Sequence, residues 1–222
     1  MKHKQTRRKF IINATKVTAS IIGAITLGKY FSFSQSTDTN NQIMEHNQHY
    51  RNDENSKILI TYEGQFGSTK EVANAIGSQL GKNNSVIIKH INNVKKLNSF
   101  DKIIIGSAIQ YDKWMPKTID FIISNQTILE TKKVAYFFTC LVLSKKTIKA
   151  TKKANGYATQ LINITPKVKP LHIGKFAGVL DYSRMSRRQR FFAKTLFAII
   201  GVKEGDYRNW NAIKFWTNSL FI

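Results

Sequence analysis

Six consecutive residues, Gly64-Gln65-Phe66-Gly67-Ser68-Thr69, hold the clearest chemical signal in this chain. Two glycines let backbone approach a ligand closely, and two hydroxyls can donate to it. The amides of a helix starting here would point at whatever the loop holds. That combination suits a phosphate ester, because free N–H groups and the positive end of a helix converge on it. The loop lacks a Gly-Lys-Ser/Thr ending, so it offers no lysine to a nucleoside triphosphate. Its glycines also miss the G-x-G-x-x-G spacing of dinucleotide sites. Other chemistries find less support. The one cysteine, Cys140, excludes an internal disulfide, and the five histidines are scattered. His46 and His49 lie three apart in a polar stretch without further metal ligands nearby. No side chain stands out as an acid, base or nucleophile.

Such a loop needs a strand before it and a helix after it. Residues 57–62 (Lys-Ile-Leu-Ile-Thr-Tyr) form the short apolar, β-branched run of a buried parallel strand. Val72, Ala73, Ile76 and Leu80 then recur at helical spacing, with Ser68 or Thr69 able to cap the first turn. Further strands are expected at 85–90, 101–106, 134–139 and 171–180. Helices are expected from Pro116 to Ser124, over about 144–162, and in a final segment containing Trp210, Ile213, Phe215, Trp216, Leu220 and Phe221. This alternation predicts an α/β three-layer sandwich around a five-stranded parallel sheet. Ligands of such sheets lie beyond the carboxyl ends of the strands, where strand order reverses. The stretches ending the third and fourth strands, Ser107-Ala108-Ile109-Gln110-Tyr111 and Thr139-Cys140-Leu141, therefore join the first loop in one candidate site. Tyr111 and Trp114 offer flat walls to a ring.

The formal charge of +22, from 35 Lys and Arg against 13 Asp and Glu, favours anionic partners such as a membrane surface or an acidic small molecule. Residues 1–34 combine a basic start with a modest apolar run, the pattern of an export signal or N-terminal anchor. Within it, Thr6-Arg7-Arg8-Lys9-Phe10-Ile11 resembles the twin-arginine signal. Export makes nucleic acid an unlikely partner and an extracytoplasmic, membrane-associated location the expected one. Residues 35–56 are polar and read as a flexible tether, so the folded domain is expected over 57–222. Near its end, residues 187–200 set cations beside aromatics, the composition of an interfacial helix. Arg184, Arg187 and Arg188 are also suited to gripping paired carboxylates.

The Gly67-Ser68-Thr69 ending resembles the phosphate loop of flavodoxins, with Gly64 and Phe66 where those proteins commonly carry further hydroxyls. Residues 105–111, 176–182 and 187–201 are similar to the flavodoxin-type, quinone-dependent protoporphyrinogen oxidase family, and the resemblance spans about residues 57–216. It implies non-covalent FMN, oxidation of a tetrapyrrole at the flavin, and delivery of electrons to quinone. The implied flavin contacts are Gly64, Gln65, Phe66, Gly67, Ser68, Thr69, Ser107, Ala108, Ile109, Gln110, Tyr111, Thr139, Cys140 and Leu141. Twin-arginine export, which carries folded proteins often loaded with a cofactor, agrees with that implication. Two other readings remain open: an exported flavodoxin-like electron carrier, and a basic lipid-binding module that has lost FMN.

Overall fold

The computed structural model describes residues 49–50 and 56–221. The expected export signal and most of the expected tether lie outside the described residues. Five parallel strands, β1 (Lys57–Glu63), β2 (Ser85–His90), β3 (Lys102–Gln110), β4 (Lys133–Cys140) and β5 (His172–Ala177), assemble in the order β2-β1-β3-β4-β5. Helix α1 (Ser68–Leu80) links β1 to β2, α2 (Pro116–Ser124) lies between β3 and β4, and α3 (Ile148–Ile164) links β4 to β5. After β2 the chain crosses to the far side of β1 to start β3. The order therefore reverses between β1 and β3, and a crevice opens at their carboxyl ends.

Strand alternation sends neighbouring side chains to opposite faces of the sheet and so builds two cores. On one face Leu59, Ile103, Ile105, Tyr136 and Phe138 pack with Trp114, Ile122, Tyr157 and Leu161 from the α2 and α3 side. On the other, Ile58, Ile60, Ile104, Phe137 and Phe176 pack with Val72, Ala73 and Ile76 of α1. Each fully buried large side chain contributes about 1.5–3 kcal/mol. These central strands, buried on both faces, are what the near-continuous apolar runs encode.

Two features depart from the expected pattern. Within the stretch expected to be a tether, His49 and Tyr50 pair antiparallel with Ile87 and Val86, on the outer edge of β2. An edge strand presents unpaired N–H and C=O groups that another segment can satisfy. The fifth strand, expected to reach residue 180, stops at Ala177. Val179–Leu180 instead pairs antiparallel with Gly205–Asp206, closing off an inserted segment. That insertion contains a short turn at Tyr182–Arg184 and helix α4 (Arg187–Ile200). Ser186 and Gln189 form a capping box at the start of α4, and Gly201, with φ of 66°, ends it. Helix α5 (Trp210–Asn218) then returns to the α1 face, where Ile213 and Leu220 complete that core while Phe215 points to solvent. No helix among the described residues is long and apolar enough to cross a membrane.

Candidate functional site

The carboxyl end of β1 turns through Gly64 to Gly67 into α1. Neither Ser68 nor Thr69 caps that helix. The N-cap is Gly67, with φ of 83° and no capping side chain. A left-handed cap of this kind favours glycine, and it moves both hydroxyls inside the first turn. Among the described residues, the amides of Ser68, Thr69 and Lys70 have no protein acceptor; the first amide of α1 to find one is that of Glu71, which donates to the Gly67 carbonyl at 3.0 Å. Helix N-termini leave such donors free for an anion.

Gly64 is required by its neighbours. A Cβ at this position would lie 2.7 Å from Thr69 Oγ1 and 2.9 Å from Thr69 Cβ. Thr69 is itself buried, and its Oγ1 shares a 2.8 Å hydrogen bond with Thr139 Oγ1 at the end of β4. That bond ties the first loop to the fourth strand across the sheet. Gln110 Nε2 donates to Gln65 Oε1 at 3.1 Å, which ties the same loop to the end of β3. The carboxylate of Glu63, next to the loop, is turned toward His90 at the end of β2, with Oε2 3.3 Å from Nε2.

Strand β3 runs to Gln110, four residues beyond the expected end, so its side chains alternate through the region expected to be a loop. Ala108 faces the first loop, where it approaches the Cβ position of Gly64, and Gln110 reaches Gln65. Ile109 packs into the core on the α2 and α3 side. Ser107 is fully buried and accepts the Met115 N–H. Beyond Gln110, Tyr111 and Asp112 make a two-residue turn with φ of 51° and 63°, after which Lys113 and Trp114 pair back on β3. Positive φ at both central residues is the hairpin geometry that Asn-Gly usually supplies. Here Asp112 is instead held from α3: its carboxylate accepts from Tyr157 Oη and from Lys153 Nζ, the latter at 2.8 Å. Burial would raise the Asp112 carboxyl, but the hydrogen bonds from Lys153 and Tyr157 outweigh it and hold it below its ordinary value.

The two aromatics expected as ring walls part company in this hairpin. Tyr111 is half exposed at the crevice, and burial of the rest pushes its phenol up to about 12. Trp114 is a core residue, 3 % exposed, and its indole N–H donates to the Tyr157 carbonyl at 2.8 Å. At the end of β4, Thr139 faces the first loop, whereas the Cys140 side chain lies in the α2 and α3 core. Burial pushes the Cys140 thiol up to about 11, which leaves it protonated and inert at neutral pH.

The insertion closes the phosphate-loop side of the site. Leu180, Met185, Ala193 and Val202 form a third cluster, and Phe66 from the first loop and Leu141 from the end of β4 pack against it. Gly178 passes close to Ser68 and donates its N–H to the Cys140 carbonyl at 3.1 Å. Arg184, which the sequence offered as a free carboxylate grip, is instead engaged with Glu71 and Asp181. Glu71 lies in the first turn of α1. Nothing in the sequence links it to partners 113 and 137 residues away. Among the described residues no cluster of His, Cys, Asp and Glu could hold a metal ion.

Comparison with known proteins identifies the domain family. The flavodoxin domain profile matches residues 59–206. The protoporphyrinogen IX dehydrogenase [quinone] of Escherichia coli K12 is 26 % identical over 165 residues, covering 71 % of this chain and 90 % of that protein. The protein of the same name from Leishmania major is 25 % identical over 167 residues, covering 71 % of each. Among solved structures, flavodoxin 1 of Bacillus cereus shares 19 % identity over 64 % of this chain and 95 % of its own, with a TM-score of 0.43. A flavoprotein in complex with FMN from Lactobacillus acidophilus shares 17 % over 54 % and 93 %, with a TM-score of 0.42. With the flavodoxin profile matched over well more than half its length and the 2-1-3-4-5 strand order in place, the chain belongs to the flavodoxin domain family.

Proposed function

We propose that this chain is an FMN-dependent oxidoreductase of the protoporphyrinogen-oxidase type, taking electrons from a reduced substrate such as a tetrapyrrole and passing them to a quinone. The observation that carries this reading is the first loop. It joins a glycine seated against Thr69 to a helix start whose amides at residues 68–70 find no protein acceptor among the described residues. Such a cradle fits a phosphate monoester. The amides of residues 64–69 with the Ser68 hydroxyl would hold the phosphate of FMN. Ala108, Gln110, Tyr111, Thr139 and Leu141, with the backbone of Ser107, Ile109 and Cys140, would line its ring. Bound there, FMN supplies the two-electron chemistry for which the described side chains have no equivalent. The chain's own residues hold and shield. The Gln65–Gln110 bridge spaces the first loop from β3, the Phe66 and Leu141 cluster keeps water from one side, and the Tyr111 phenol stays neutral as a donor at ordinary pH.

The quinone acceptor draws support from the names of the two dehydrogenase relatives. Each two-electron turnover would convert one quinone to quinol with uptake of two protons. An acidic substrate finds support in an open groove of about 640 Å³ beside the end of β4, where Lys145, Lys146 and Lys152 flank Leu143 and Ile148. An anionic membrane surface is supported by α4, which exposes Phe191, Phe192 and Ile199 next to Arg187 and Arg188 and carries no acidic residue. Export by the twin-arginine route rests on residues 6–11.

A visible spectrum of protein purified intact tests the cofactor, and a colourless protein that refuses added FMN at micromolar concentration sinks the redox reading in favour of a lipid-binding module. Anaerobic bleaching by protoporphyrinogen IX, with recovery on adding quinone, tests the reaction; bound FMN that the porphyrinogen does not reduce favours an electron carrier. Sedimentation with phosphatidylglycerol vesicles but not with neutral ones tests the membrane surface. Replacing Arg7 and Arg8 by lysine should retain the chain in the cytoplasm.

A further inference from the structure

Two guanidinium groups, Arg184 of the insertion and Arg208 just after it, grip one carboxylate in the first turn of α1. Arg184 Nη1 donates to Glu71 Oε1 at 2.6 Å, and Arg208 Nη1 donates to Glu71 Oε2. Arg208 is nearly buried: it spends Nε and Nη2 on Asp206, at 2.9 and 2.6 Å, and lies 4.4 Å over the Trp210 ring. Arg184 is braced by its own second acid, with Nε 2.9 Å from Asp181 Oδ2. Burial would raise the Glu71 carboxyl, but hydrogen bonds from Arg208 and Arg184 outweigh it, so Glu71 stays ionised at neutral pH.

One further bond gives this clasp a consequence for the ligand. Arg184 Nη1 also donates to the Phe66 carbonyl at 3.1 Å. The Phe66 carbonyl and the Gly67 N–H belong to one planar trans peptide and point in opposite directions. Holding the carbonyl therefore aims the Gly67 N–H away from Arg184. Gly67 has no side chain to resist rotation of that plane, and its φ of 83° is one of many that a glycine can adopt. A guanidinium oriented by two acids is a rigid way to hold it.

The geometry points to Arg184 as a positioning residue of the phosphate loop: by fixing the Phe66 carbonyl it orients the Gly67 N–H toward the phosphate, while Glu71 and Asp181 orient Arg184. This rests on the FMN reading above. A clasp that only anchors the insertion would stabilise the fold without distinguishing one flavin from another. Riboflavin has the same ring as FMN and no phosphate, so the ratio of the two affinities isolates the loop.

The test titrates FMN and riboflavin against the full chain and its variants Arg184→Lys, Arg184→Gln and Glu71→Gln. Arg184→Gln should weaken FMN at least tenfold while changing riboflavin less than threefold. Arg184→Lys keeps the charge but cannot reach the carbonyl and both acids at once, so it should lose most of the same discrimination. If Arg184→Gln does not fold, Arg184→Lys and Glu71→Gln carry the test. Equal weakening of both flavins, unchanged FMN affinity, or full rescue by lysine overturns the positioning role while leaving the FMN reading intact. A wild-type chain that binds neither flavin overturns both.

Discussion

The most demanding prediction concerns Gly64→Ala. The new Cβ would meet Thr69 Oγ1 at 2.7 Å and Thr69 Cβ at 2.9 Å, and Thr69 has little room to yield, being 1 % exposed and bonded to Thr139 at 2.8 Å. Either the loop shifts or Thr69 rotates and leaves the buried Thr139 hydroxyl without its partner. Overpacking costs about 1–3 kcal/mol. An unpaired buried hydroxyl costs about 1–3 kcal/mol as well. These routes are alternatives, so one such cost applies rather than their sum. Alanine restricts the unfolded chain and returns about 0.4–1 kcal/mol. The clash wins, leaving a net loss of about 1–2 kcal/mol. With a urea slope of about 2 kcal/mol per molar, the unfolding midpoint should fall by about 0.5–1 M. The same shift in the loop should weaken FMN about tenfold, since about 1.4 kcal/mol is one decade. Urea unfolding followed by tryptophan fluorescence reads the first effect and flavin titration the second. Adding Thr69→Ala removes the closer contact, so the double variant should fall short of the summed single losses by at least about 0.5 kcal/mol. An alanine variant with wild-type midpoint and wild-type FMN affinity would refute the claim that this glycine is a steric requirement of the site.

Trp114→Phe should lower stability by about 1–3 kcal/mol through loss of a buried hydrogen bond and some packing, yet leave FMN affinity unchanged; a selective loss of FMN would return Trp114 to the ring. Asp112 has a folded pKa held below its unfolded value, so its contribution is present above about pH 4 and lost as pH falls through the lower folded value. Wild type should therefore exceed Asp112→Asn in stability at pH 7, with the gap closing below about pH 4; a gap independent of pH contradicts the ion pair with Lys153. Cys140, raised to about 11 by burial, should resist alkylation in the folded chain at pH 8 and react at once in urea, as followed by mass spectrometry. Equal rates in the two states would show the thiol to be accessible.

The strands and the first loop were legible because buried parallel strands are written as short apolar runs: Ile58, Leu59 and Ile60 or Ile103, Ile104 and Ile105 leave few other readings. The reversal of strand order, which brings the ends of β1, β3 and β4 together, then follows from family resemblance and not from any single residue. Local geometry was less legible. Ser68 and Thr69 have the chemistry of caps, but the left-handed Gly67 takes that position and shifts both inward. The extension of β3 was hidden because Ser107, Ala108 and Gln110 are weak strand formers, held in place by pairing with β4 and by the hairpin. Which of Tyr111 and Trp114 enters the core depends on a two-residue turn that carries no Asn-Gly signature. The clasp on Glu71 could not be read at all, since charge pairing across more than a hundred residues leaves no local pattern.

The turn at Tyr111 and Asp112 has a consequence for how this lineage can drift. Two side-chain-bearing residues sit in backbone geometry that costs about 1–3 kcal/mol each, and the restraint comes from Lys153 and Tyr157 on a different helix. A descendant that acquired Asn-Gly at 111–112 would release position 153 to vary, while Tyr157 would still be held by its place in the core, at the expense of the aromatic now at the crevice. A descendant that kept the tyrosine would have to retain the acid beside it together with both of its holders. Positions 112 and 153 should therefore be inherited, or abandoned, as a pair, with 157 kept in either case by the core.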